Sequence, residues 1–297
     1  MSIRFSDEVS DAMGSSRPIV ALESTVIAHG LPYPQNLETA VRCEDAVRDA
    51  GAIPATIAVF DGEFCVGSLR EQIEHLATAK DIRKISRRDL PIAVGQKLTC
   101  ATTVATTAYI AHRAGIKVFS TGGIGGVHRG DAPDISADLP ELAQTPITIV
   151  SSGAKIVLDL PATREWLETH GVTVLGWQCD EMPAFYSRSS GLEIDQRVDS
   201  AVEAAAIIRA RDDLRLQNAI LVSVPVPDEV EIPRDELEEI LDIALDKAAR
   251  AGVKGKNLTP FLLAEMSAQS QGRTRAANIA LLENNARVAA DIAIALA

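Results

Sequence analysis

Several groups that do chemistry in enzymes lie between residues 118 and 160, in the stretch VFSTGGIGGVHRGDAPDISADLPELAQTPITIVSSGAKIVLDL. Lys155 follows a turn of small residues and enters an apolar segment. Burial and nearby cations there would lower its pKa and free the amine as a nucleophile; the alternative is a stem that snorkels to water. Asp131, Asp134 and Asp138 surround Ser136, and hard carboxylates with few histidines suit Mg²⁺ or Mn²⁺ better than Zn²⁺. Solvated turn formers would look the same. The glycines of TGGIGGVH permit close backbone approach to a ligand. The run is no dinucleotide fingerprint, because His128 stands where a third glycine belongs and no helix pattern follows. His128 itself fits a catalyst or a hydrogen-bonded structural group.

Further candidates lie outside that stretch. Glu23 ends the apolar run PIVAL, so it either caps a turn or faces a cleft. Lys84, Arg87 and Arg88 form the densest positive cluster of an acidic chain and are candidates for a phosphate contact. Thr99, Thr102, Thr103, Thr106 and Thr107 open a helix of small residues, where hydroxyls and free N–H groups suit an anion or cap and pack the helix. Asn278, Asn284 and Asn285 interrupt an Ala/Leu/Ile helix; each could face a pocket or solvent.

The elements that must hold these groups alternate. Strands are expected at 18–22, 53–60, 92–95, 117–120, 147–150, 172–175 and 219–224. Helices are expected after Asn36 as N-cap, after a Ser68–Glu71 capping box, and over 163–169 and 198–211. Asp61-Gly62 reads as a tight hairpin. Three helices, 234–251, 259–270 and 275–296, close the chain. This pattern predicts a single α/β/α three-layer sandwich with a largely parallel central sheet, over 1–297 with 1–17 as an N-terminal extension.

The net charge of −12 argues against nucleic acid as a partner, and requires a local basic patch for any phosphorylated ligand. Cys43, Cys65, Cys100 and Cys179 are widely spaced and read as reduced thiols. No run approaches a membrane span and the N-terminus has no apolar leader core, so the expectation is a soluble cytoplasmic protein.

The segments ALESTVIAHGLPYPQNLETA, KISRRDLP, ATTVATT, TGGIGGVHRG, DISADLPEL, SSGAK, DEMPAFYSRSSG, GKNLTPFLLAEM and ANIALLENNA resemble, in consistent order, the pseudouridine-5′-phosphate glycosidase family, also called indigoidine synthase A-like. The resemblance implies an α/β/α enzyme that reversibly cleaves the C–C glycosidic bond of pseudouridine 5′-phosphate to uracil and ribose 5-phosphate. It implies Mn²⁺ as cofactor and a homotrimer. By motif, Lys155 is implied as nucleophile, Glu23 as proton donor and Asp134 as metal ligand. Ser136, Ala137 and Asp138 are implied at the ribose phosphate, Lys84 and Val104 as substrate contacts, and His128 and Asn278 as pocket lining. A carbon leaving group needs an electron sink at C1′, which a lysine Schiff base provides, and a proton at uracil C5. A different Schiff-base aldolase or lyase, or a non-enzymatic sugar-phosphate binding module, would share Lys155 and the phosphate contacts.

Overall fold

The computed structural model describes residues 3–130, 134–253 and 258–297. An eleven-stranded sheet runs through the chain. Its middle consists of β2 (Ile19–Leu22), β7 (Val118–Ser120), β9 (Thr148–Ser151), β13 (Ile220–Ser223) and β11 (Thr173–Trp177), all parallel. β12 (Gln196–Val198) closes that edge. These short strands are almost wholly buried, as expected of parallel strands covered on both faces.

The other half hangs on β3 (Ile53–Phe60), whose eight residues are all buried. Its first half pairs in parallel with β2, and its second half pairs antiparallel with β4 (Glu63–Val66) through the Asp61-Gly62 turn. There it also meets β6 (Cys100–Thr102), which carries β5 (Arg83–Ile85). The N-terminal residues join the same body: β1 (Ile3–Phe5) pairs with β4, and α1 (Asp7–Gly14) buries Val9 and Ala12. A separate two-stranded ribbon joins β8 (Val127–His128) to β10 (Leu158–Asp159).

Helices cover both faces, as the alternating pattern predicts. The long α11 (Arg273–Leu296) packs on β2, β7 and β9, beside α2 (Gln35–Asp49) and α8 (Ala201–Asp213). α5 (Val104–Arg113) lies against β2, β3 and β7 with α6 (Asp138–Leu142) beside it. The remaining helices are α3 (Arg70–Thr78), α4 (Leu90–Gly95), α7 (Leu160–Thr169), α9 (Arg234–Ala251) and α10 (Leu258–Gln269). Among the described residues no helix is long and apolar enough to cross a membrane. All four cysteines are free.

Three local expectations are corrected. Residues 92–95 form part of helix α4 rather than a strand. Pro91 occupies its first turn, where a missing N–H costs nothing, and Ile92 is 41% exposed. Four apolar residues are too few for periodicity to separate the two states. The Ser68–Glu71 capping box is displaced by one residue: Gln72 accepts from the Leu69 N–H at 2.9 Å, while Ser68 donates to the Thr56 carbonyl. Asn36 is not an N-cap, because α2 begins one residue earlier. Its buried amide donates to the Ile27 and Ala77 carbonyls at 2.7 and 3.0 Å, tying two segments together.

Candidate active site

The chain folds outward from β2 to β3 on one side and to β7 on the other, and open α/β sheets bind ligands beyond the strand ends at such a switch point. Glu23 directly follows β2, Thr121 follows β7, and Lys155 stands four residues beyond β9. A cavity of about 540 Å³ opens there. Its floor includes Glu23, Lys84, Gly122, Gly123 and Lys155; its wall includes Ser267, Arg275 and Asn278 from α10 and α11.

The floor is tightly fixed. After Glu23, Ser24 accepts from the Thr102 N–H at 2.9 Å and Thr25 donates to the Thr102 carbonyl at 2.8 Å, anchoring the end of β2 to β6. The segment then makes a π-helical turn, Val26–Gly30, a form that recurs at functional sites. The Thr121 hydroxyl is hydrogen-bonded to Glu23 Oε1. Lys155 is placed by its N–H to the Ile124 carbonyl at 3.1 Å. Gly153 in that turn has φ +73°, and a Cβ would stand 2.3 Å from the Pro183 carbonyl oxygen, so the turn requires glycine.

Burial pushes the Glu23 carboxyl above its ordinary pKa; Asp138 adds to the effect, while Lys155, Thr121 and Lys84 oppose it. Crowding of the amine at the cavity likewise lowers the Lys84 ammonium, although the residue as a whole is exposed, with Lys155 adding repulsion and Asp138 and Glu23 opposing. A carboxyl whose pKa is raised thus lies in the field of two lysines, an arrangement suited to delivering a proton to a leaving group.

Among the sequence candidates, Glu23, Lys84, Lys155 and Asn278 converge on the cavity. Asp138 stands behind the floor. It accepts from the Ala105 N–H at 3.0 Å and the Gly125 N–H at 2.9 Å, joining the first turn of α5 to the glycine run. A Cβ on Gly125 would lie 2.2 Å from Ser136 Oγ, so that approach also requires glycine. Val104 is buried at the start of α5, and Ser136 and Ala137 precede α6; none of the three is on the cavity wall.

His128 is half-buried in β8, with its backbone N–H on the Asp134 carbonyl at 2.8 Å, and it too stands apart from the wall. Asp134 is exposed. Asp131 lies outside the described residues. Among the described residues no three His, Cys, Asp or Glu side chains form a metal cluster. One exposed carboxylate fits a hard dication held largely by water and ligand oxygens, and does not fit an all-protein cage.

The candidate anion contacts divide, and the threonines take their structural alternative. Arg87 turns away from the cavity: its guanidinium holds the buried Glu141 at 3.1 and 3.2 Å and covers the Tyr109 ring at 4.6 Å. Arg88 is exposed and absent from the cavity wall. The threonines are committed to the fold. Thr102 donates to the Ile57 carbonyl, Thr106 to the Ile85 carbonyl and Thr107 to Thr102, while Thr103 caps α5. The anion at the start of that helix is the protein's own Asp138.

Residue-by-residue reading missed His29, Arg275 and Ser267, and assigned no role to Phe185 and Tyr186, all of which line the cavity. His29 is held below its usual pKa by burial, with Lys84 adding to the effect and a backbone contact to Ile82 opposing it. Phe185 has φ +63°, an uncommon conformation for an aromatic residue. A signal for Arg275 existed: it precedes Asn278 by three positions, and such residues share one helix face.

A family model described as "Indigoidine synthase A like protein" matches residues 8–295. A pseudouridine-5′-phosphate glycosidase of Caldanaerobacter subterraneus subsp. tengcongensis is 51% identical over 296 residues, covering 99% of this chain and 96% of its own. One from Myxococcus xanthus is 49% identical over 300 residues, covering 100% and 99%. Among solved structures, the prealnumycin C-glycosynthase AlnA, in complex with ribulose 5-phosphate, superposes with a TM-score of 0.92 at 39% identity, covering 99% of this chain and 96% of that one. An indigoidine synthase A-like protein of Thermotoga maritima superposes with a TM-score of 0.90 at 37% identity, covering 98% and 95%. With family match, full-length relatives and sandwich fold in agreement, this chain belongs to the indigoidine synthase A-like family.

Proposed function

We propose that the chain is a pseudouridine-5′-phosphate glycosidase, an enzyme that reversibly cleaves the C–C glycosidic bond of pseudouridine 5′-phosphate to uracil and ribose 5-phosphate. The observation that carries the mechanism is a lysine amine and a carboxyl of raised pKa at the ends of β9 and β2, the two strands that flank β7, in one cavity. Lys155 Nζ attacks C1′ and displaces the ring oxygen, which takes up a proton. The nitrogen lone pair then forms C1′=N as the bond to uracil C5 breaks. That bond's electron pair leaves with the carbon that Glu23 protonates. Water hydrolyses the imine, releasing ribose 5-phosphate and regenerating the amine.

Lys84 supplies positive charge to the anionic substrate, and Asn278 offers its amide to the polar edge of the base. Val104, Ser136, Ala137 and Asp138 shape the ribose-phosphate side, with Asp138 acting through the backbone it holds; His128 supports that side from β8. Asp134 would hold Mn²⁺, which when bound supplies positive charge to the substrate oxygens. We assign the active assembly as a homotrimer.

Uracil release from pseudouridine 5′-phosphate, with Mn²⁺ and with chelator, tests the reading in wild type and Lys155→Ala. Metal-dependent release by wild type alone is expected, together with borohydride trapping of ribose 5-phosphate on wild type but not on the variant. Release by Lys155→Ala at the wild-type rate would remove the lysine from the mechanism, and an unchanged rate in chelator would remove Mn²⁺. A molecular mass in solution other than three chains would correct the trimer. The solved C-glycosynthase relative with ribulose 5-phosphate supports a second reading, in which the same sugar-phosphate chemistry serves another aglycone. Turnover of ribose 5-phosphate with other carbon nucleophiles, and none with uracil, distinguishes it.

A further inference from the structure

We propose that Thr121 and Asn285 are positioning residues: Thr121 fixes which oxygen of Glu23 keeps the proton, and Asn285 locks together the loops that carry Thr121 and Lys155. This rests on the reading of Glu23 as the acid. β7 and β9 pair as strands only as far as Ser120 and Val150, yet the ladder continues beyond them. The Thr121 N–H bonds the Val150 carbonyl at 3.0 Å, Ser152 bonds Gly122 at 2.8 Å, Ile124 bonds Gly153 at 3.0 Å and Lys155 bonds Ile124 at 3.1 Å. The partner of the acid and the nucleophile therefore stand on one continuous rail.

Asn285 is the clamp on that rail. It is fully buried in α11, where a polar side chain gains nothing unless its hydrogen bonds are met. Its Nδ2 donates to the Thr121 carbonyl at 2.9 Å and lies 3.4 Å from the Gly122 carbonyl. The Ser152 hydroxyl is 3.3 Å from Oδ1 and 3.2 Å from Nδ2. One amide thus spans both loops. At the far side of Thr121, the hydroxyl is paired with Glu23 Oε1; with the hydroxyl as donor, the role proposed for it, Oε1 accepts and the acidic proton is left to Oε2. Lys155, Asp138 and Lys84 are the charged groups facing Glu23, and none of them imposes this asymmetry through a hydrogen bond.

The test is the pH dependence of kcat/KM for uracil release in wild type, Thr121→Val and Thr121→Ser. Activity that needs protonated Glu23 falls as pH rises through its pKa. The Thr121 hydroxyl favours the ionised form, so Thr121→Val moves this alkaline limb to higher pH. The lost alignment lowers kcat by roughly 10- to 100-fold. Thr121→Ser keeps the donor and restores the limb and most of kcat. In a double-mutant cycle, Asn285→Ala and Thr121→Val lose less together than the product of their separate losses. An alkaline limb that stays in place, with Val and Ser variants equally impaired, overturns the proposal whatever happens to Asn285. Absence of uracil release by wild type overturns the reaction itself, a different failure.

Discussion

The two sides of the cavity are built differently. The floor consists mainly of strand-end loops tied together by hydrogen bonds, Glu23 through Thr121 and Lys155 through Ile124, with Lys84 presented from β5 and Asp138 of α6 bracing the floor from behind through Ala105 and Gly125. The wall is presented by α10 and the first turns of α11. Leu263, Ala264 and Leu282 meet the cavity there alongside Ser267, Arg275 and Asn278. On the proposed mechanism, bond breaking falls to the floor on the sheet, and shape and donors for the bound substrate come from the helical wall, a division that loops on a rigid scaffold commonly serve.

The largest break in that comparison comes from the floor. Glu23→Gln keeps the size and the Thr121 contact but removes the proton, so kcat falls by about 10²- to 10⁴-fold. Borohydride trapping of ribose 5-phosphate on Lys155 should survive, because the acid acts on the base. A variant that loses trapping as well as turnover would move Glu23 from proton donor to organiser of the lysine. A change in the wall should instead alter binding. Arg275→Leu is expected to raise KM by roughly tenfold, the scale of one charge-assisted hydrogen bond, with kcat retained. A fall in kcat at unchanged KM would place Arg275 with the floor.

The smallest effect is expected outside both regions. Arg87→Leu removes the ion-pair partner of the buried Glu141 carboxylate, which keeps the Thr145 hydroxyl, and should cost on the order of 1–2 kcal/mol in thermal unfolding, a modest figure because Arg87 is itself exposed. Its KM for the substrate should not change. A raised KM would return Arg87 to the phosphate contact that its place in the KISRRD cluster suggested.

That residue illustrates where sequence reading stops. The neighbours Lys84 and Arg87 look equivalent along the chain, yet one lies in β5 and reaches the cavity, while the other follows it into a turn against α6. The asparagines of α11 divide likewise: Asn278 faces the cavity and Asn285 the loops beneath it. Their spacing of seven places both on one helix face without saying what covers that face. The central strands were legible because β-branched runs between glycines and prolines encode them locally; their order in the sheet and the short edge strands were not, because both depend on pairing between distant segments. Glu23 and Lys155 were candidates because each is a charged residue at the end of a buried run, with a turn cap or a snorkelling stem as the alternative; the cavity on which both converge depends on the fold. The wall was not legible, since it depends on how α10 and α11 fold back over the sheet.

The double pairing of β3 has a consequence for how the molecule opens. Its amides are shared between the parallel half, through β2, and the antiparallel half, through β4 and β6. No partial opening that separates those halves can leave β3 intact. Amide protons of Ile57–Val59 should therefore exchange with solvent only when the whole chain unfolds, whereas those of α10, packed chiefly on α9 and α11, can exchange through local excursions that leave the sheet undisturbed.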